Sequence, residues 1–80
     1  MTEDNLQRVE IIWKDACGEY GYEDIEDARK KPLATLRSVG YILNQDEEQV
    51  IIVQTTSLTC EHVSGRQNIP RVNIISLTTI

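Results

Sequence analysis

Apolar residues recur at every second position through Val9, Ile11 and Trp13, with Glu10 and Lys14 on the opposite side, and this period of two predicts a β-strand over 9–16. A stretch without sustained period follows. It carries Gly18, Gly21 and Pro32, and it predicts a long first loop over 17–36. Within that loop "YEDIEDARKK" sets acids before bases, the order a helix dipole favours, so at most one short helix of about two turns is expected there. Strand character resumes in "LATLRSVGYILNQ", with Val39, Tyr41 and Leu43 on one face and Gly40 where a strand bends or another backbone comes close. Trp13 and Tyr41 are both expected on apolar, core-facing sides.

The polar turn "NQDEE" joins this strand to "QVIIVQTTS" at hairpin distance. Val50, Ile51, Ile52 and Val53 form an unbroken β-branched run, which suits a strand covered on both faces. A short strand around Glu61–Val63 is expected to end at the turn Ser64-Gly65. After Pro70 comes a last strand in which Ile75 and Leu77 alternate with Ser76 and Thr78. Residues 1–7 are polar and too few to hold a helix alone, so a flexible start is expected. Five short strands with one long connection and three shorter ones describe an all-β, five-stranded antiparallel small barrel.

A chain of 80 residues forms one domain with a thin core, and small scaffolds of this kind add a disulfide, a metal or self-association. Two cysteines are too few for a disulfide framework. The net charge of −5 removes the main attraction to duplex DNA. The acidity is local. Residues 1–31 hold nine carboxylates against five Lys or Arg, whereas residues 32–80 hold four against three. No apolar run approaches the roughly 20 residues that would span a bilayer, and a cytoplasmic protein with reduced thiols is expected, without a membrane partner.

The runs "VGYILNQDEEQVIIVQ" and "NIPRVNIISLTTI" resemble strands two, three and five of the SH3-like and Sm-like small barrels. The SH3-like version implies that residues 17–36 are its long first loop and "IPRVN" a single helical turn before the last strand. The spacing of Gly40, Asp46 and the final strand resembles bacterial Sm-like RNA chaperones, which implies a ring closed by strands pairing between subunits and leaves single-stranded RNA as an alternative ligand. Trp13, Asp15, Ala16, Val39, Gly40, Tyr41, Leu43, Ile69, Pro70 and Ile74 also match a pattern similar to that of short bacteriophage proteins. That resemblance implies an accessory protein that binds a host protein or sequesters a small anionic signal molecule.

Candidate chemistry is sparse. Cys60 and His62 share a strand face and, with Cys17, would make a partial zinc site, but there is neither a C-x(2)-C pair nor a second histidine. A metal is therefore held as the weaker alternative, a zinc-stabilised interaction domain, and no cofactor is expected. No catalytic motif occurs, so the expected function is non-catalytic. Tyr20 and Tyr22 lie between glycines and acids where no core periodicity claims them, and with Glu23 and Asp24 they are candidate partner contacts. Arg37, Arg66 and Arg71 are the bases of the barrel portion and would read an anion if the turns bring them together. The uncharged stretches 50–56 and 72–80 would be aggregation-prone as open edges, so they are expected to pair between identical subunits.

Overall fold

A computed structural model describes residues 6–16, 18, 20–59 and 61–80. The first strand, β1 (Arg8–Asp15), buries Val9, Ile11 and Trp13 and leaves Glu10 and Ile12 between them partly exposed on the other face, as its period of two requires. The chain then runs through a single short helix, α1 (Ile25–Arg29), into β2 (Ala34–Gln45). Strand pairing thus begins inside the range expected for the loop, because Ala34 and Thr35 continue the β1 ladder opposite Asp15 and Lys14. The helix is one turn rather than two and buries none of its residues.

Three further strands complete the main sheet: β3 (Gln49–Val53), β6 (Gln67–Pro70) and β7 (Ile74–Thr79). Between β3 and β6, the short strands β4 (Thr55–Thr56) and β5 (Val63–Ser64) make a separate two-stranded ribbon. The main sheet has the order β6-β3-β2-β1-β7 with every pair antiparallel. The chain is therefore all-β apart from α1 and one 3-10 turn at Arg71–Asn73 that feeds β7. It is an open sheet, not a closed barrel, since β6 and β7 stand at opposite ends of the order. The short β6 ends in Pro70, which has no N–H with which to prolong a ladder.

One apolar cluster holds the sheet together. Val9, Ile11, Trp13, Val50, Ile52 and Ile69 are buried in it, and Leu36, Ile42, Ile74 and Leu77 pack against it. The indole Nε1 of Trp13 donates to Ser38 Oγ at 3.0 Å, so its one polar atom is satisfied inside the sheet. Gly40 lies opposite Val9 and is itself buried; a Cβ there would stand 2.7 Å from the Val53 carbonyl oxygen.

That contact overturns the expected face of β2. A glycine chosen for close approach faces the neighbouring backbone, so Leu36, Ser38, Gly40 and Ile42 turn inward, and Val39, Tyr41 and Leu43 turn outward. Val39 is 50% exposed. Leu43 is the extra residue of a bulge, for Ile42 pairs with Ile52 while Asn44 already pairs with Ile51. A second bulge breaks the expected alternation at the start of the last strand, while Leu77 keeps the inward place expected for it. Ile12 pairs with Ser76 and Trp13 with Ile74, so Ile75 is skipped, stands 58% exposed, and leaves Ile74 to meet the core.

The expected strand 49–57 breaks at Gln54, where the chain leaves β3 for the ribbon. β3 itself is an interior strand paired with β2 on one side and β6 on the other, so 50–56 is not an open edge. The open edges are β6 and β7. At the start of the described residues, the Gln7 carbonyl accepts a hydrogen bond from the Ile42 amide at 2.9 Å, so pairing with β2 extends one residue before Arg8. Gly65 closes the ribbon with φ 71°, a conformation that costs glycine nothing.

Candidate functional site

The first loop presents its residues to solvent, but not all of them are unengaged. Asp24 caps α1, its Oδ2 accepting from the Glu26 and Asp27 amides at 3.1 and 3.4 Å. Within the helix Glu26 pairs with Arg29 at 2.7 Å, and Glu23 reaches Lys31 at 3.8 Å, so the acids precede the bases as the helix dipole favours. Asp24 and Glu23 therefore serve the loop's own local order. Tyr20 and Tyr22 do not: both side chains are fully exposed, and neither folds back onto the sheet.

The three arginines expected as an anion patch are not brought together. Arg37, opposite Ile12, sits within 3.6 Å of Glu10. Arg71 lies at the far end of β2, its Nε donating to the Asp46 carbonyl at 3.0 Å and its Nη2 to Gln45 Oε1 at 3.2 Å. Eight strand positions separate residues 37 and 45, about 25 Å at the rise of a β-strand. Arg66 follows the ribbon turn at Gly65 and has no ionic or hydrogen-bonding partner among the described residues. A shared anion site for the three is excluded by this spread.

Arg71 is instead a strut. Its amide donates to the Glu48 carbonyl at 2.8 Å while its guanidinium grips the β2–β3 turn, tying the 3-10 turn to that hairpin. Within the hairpin, Asp46 Oδ1 accepts from the Glu48 and Gln49 amides at 2.8 and 2.9 Å. These amides, Gln49 first, hold the Asp46 carboxyl below its ordinary value of 3.8, and the Arg71 charge adds to the effect. Because the folded value is the lower one, the contribution to stability is present above the unfolded value and is lost as pH falls through the folded value. Replacing Asp46 by Asn, which keeps the acceptor but not the charge, is expected to flatten the fall of the thermal midpoint below about pH 4. Superimposable acid limbs for the two proteins in a calorimetric series would show that the charge carries none of it.

Of the weaker metal alternative, Cys17 and Cys60 lie outside the described residues. His62 is exposed in the ribbon segment, its amide donating to Ser57 Oγ at 3.2 Å. Among the described residues no three His, Cys, Asp or Glu side chains cluster. No helix of the described residues is long and apolar enough to cross a membrane.

The outward turn of β2 creates a site that the alternation rule hid. Arg8 and Tyr41 are cross-strand partners on the face away from the core, and Val53 follows Tyr41 in the same row. Beside them the chain from Gln54 to Leu58 rises from the sheet, and with Leu6 it encloses a cleft of about 410 Å³. Its polar lining residues are Arg8, Tyr41, Gln54, Thr55, Thr56 and Ser57; its apolar ones are Leu6 and Leu58. No carboxylate lines it among the described residues. The signal in the sequence was Gly40: a glycine that must face a neighbouring strand obliges the residue after it to face away.

Comparison of the chain with protein-family models, with curated proteins and with solved structures found no match.

Proposed function

We propose that the chain is a non-catalytic, homo-oligomeric binding protein whose subunits join by strand addition at β7. The observation that carries this reading is the edge itself. β7 pairs on one side only, with β1, and contains no charged residue or proline; its bulge at Ile75 lies near its start and leaves Ser76–Thr79 as a regular open edge. The Ile80 amide donates to the Arg8 carbonyl, so by alternation the backbone groups of Thr79 and Leu77 point away from β1. Ile75 within this strand and Ile80 just after it stand exposed, and so does Val72 in the turn before it.

Pairing β7 of one subunit with β6 of the next is a head-to-tail contact, which closes into a ring when the rotation per subunit permits. Such pairing would complete the small barrel of the SH3-like and Sm-like resemblance, and the 3-10 turn before β7 stands where the SH3-like version implies one.

Ile75→Lys puts a charge on the open border without touching the core. Light scattering is expected to give a multiple of the chain mass for the wild type and the single-chain mass for the variant. A wild type that stays monomeric at every concentration sinks the reading.

The acidic loop is the surface such an oligomer offers to a protein partner with a basic face, its fully exposed tyrosines serving as anchors between carboxylates. The pattern similar to short bacteriophage proteins supports a host protein as that partner. Several of its residues, Trp13, Gly40 and Ile69 among them, have packing roles, so the pattern speaks for origin rather than activity. Retention of all partners by a Tyr20→Ala, Tyr22→Ala double variant in affinity capture would remove the loop from this role.

A further inference from the structure

We infer that the outer-face cleft between Leu6, Arg8, Tyr41 and the 54–58 segment is a binding site for a small anion that carries a planar ring, of the nucleoside monophosphate class. The inference stands apart from self-association, because none of the described lining residues lies on β6 or β7, the edges proposed to pair.

Charge singles the cleft out first. On a chain of net charge −5, Arg8 is the one charged side chain among its described lining residues. Its guanidinium has no ionic or hydrogen-bonding partner among the described residues, unlike Arg29, Arg37 and Arg71. An unpaired guanidinium beside hydroxyl groups, with no carboxylate to compete, selects a phosphate or carboxylate by charge-assisted hydrogen bonds.

The second observation is which polar groups are unengaged. Thr56 Oγ1 donates to the Ser57 carbonyl, and Ser57 Oγ accepts from the Glu61 and His62 amides, so these two hydroxyls shape the ribbon. The Tyr41 phenol and the side chains of Gln54 and Thr55 have no such partner among the described residues. Arg8, Tyr41, Gln54 and Thr55 thus converge with their hydrogen-bonding capacity available, and the two leucines supply an apolar wall.

The third is shape. Arg8 and Tyr41 are directly opposed across β1 and β2, which places their Cβ atoms about 5 Å apart on one face. A planar ring laid on the Tyr41 face therefore brings its anionic substituent to Arg8, while a sugar's hydroxyls fall to the amide and hydroxyl of Gln54 and Thr55. The volume, about 410 Å³, falls within the range of roughly 300–1,000 Å³ of small-molecule sites.

The test is a titration of the full chain, isotopically labelled and followed by amide chemical shifts. The probes are a set of 5′-nucleoside monophosphates, the matching nucleosides and inorganic phosphate. At least one monophosphate is expected to move the amides of Leu6, Tyr41 and Gln54–Leu58, with its nucleoside and inorganic phosphate each binding about tenfold or more weakly. Arg8→Gln and Tyr41→Leu, both on the outer face, are expected to weaken that monophosphate about tenfold or more while the remaining amide spectrum stays in place. Three results would overturn the inference: no shift at those amides with any monophosphate at millimolar concentration, inorganic phosphate binding as well as the nucleotide, or Arg8→Gln binding as the wild type does. The oligomeric state, read on the same samples, reports the self-association reading separately.

Discussion

Trp13→Ala is expected to remove most of the chain's stability. The indole is 4% exposed at the centre of the only buried cluster among the described residues, with Val9, Ile11, Val50, Ile52 and Ile69 around it. Truncating a buried tryptophan to alanine costs about 3–5 kcal/mol through lost contacts and the cavity left behind. A domain of this length holds about 4–12 kcal/mol in all, so the variant should have a thermal midpoint lowered by about 12 °C or more, or no cooperative transition at all. Ser38→Ala separates the two parts of the effect. It removes only the hydrogen bond to Nε1, an effect of about 1–2 kcal/mol. Denaturant titration followed by circular dichroism measures both, and a Trp13→Ala protein within about 1 kcal/mol of the wild type would contradict the packing described.

Gly40→Ala is expected to be the most damaging single-methyl addition in the chain. The new Cβ would lie 2.7 Å from the Val53 carbonyl oxygen and 3.3 Å from Ile52 Cβ. The first of these is backbone, which cannot rotate aside as a side-chain tip can. Relief requires β2 and β3 to move apart where Tyr41 pairs with Val53. Overpacking of this kind costs about 1–3 kcal/mol, and Gly40→Val should cost more. Gly18→Ala is the control: no atom lies within 4 Å of its Cβ, and a change within about 0.5 kcal/mol is expected. Displacement of Tyr41 would also widen the outer cleft, so Gly40→Ala should disturb the amides of Gln54–Leu58 in the folded fraction. A Gly40→Ala protein as stable as the wild type would place the strands farther apart than described.

Much of this fold was legible because local rules and tertiary packing agreed. The alternation of Val9, Ile11 and Trp13 survives intact because β1 is central, paired on both sides, and has no bulge in its own backbone. The polar turn at Asp46 and the glycine turn at Gly65 depend on side-chain capping and on φ, both properties of a few neighbouring residues. The order of acids and bases in the first loop allowed a short helix without requiring one, and α1 forms there with a cap and ion pair that are local.

The misread faces have two causes: a period of two says which residues share a face but not which face is inside, and a bulge breaks the period itself. In β2, "RSVGYIL" offers apolar residues on both sides, and only the fit of Gly40 against Val53 selects between them. In β7 the skipped residue Ile75 exchanges the roles of Ile74 and Ile75, and a bulge has no local signature in a run of β-branched residues. Candidate sites fared according to the same distinction. Tyr20 and Tyr22 were legible as exposed because nothing periodic claimed them. Arg8 and Tyr41, 33 positions apart, became neighbours only through the β1–β2 register. Arg37, Arg66 and Arg71 were separated by the same strand geometry that was expected to gather them.

By itself, then, the sequence determined the strand character of the chain, the positions of its turns, the acid-to-base order of its first loop and the central role of Trp13. Each of these follows from interactions within a few residues or from a hydrophobic period that a central strand preserves. The tertiary structure alone decided which face of β2 is buried, that the sheet stays open with β6 and β7 at its ends, and that Arg8 meets Tyr41 beside an uncharged hydroxyl run. Those outcomes depend on register and on backbone distances between strands far apart in the chain, quantities set by packing over the whole sheet.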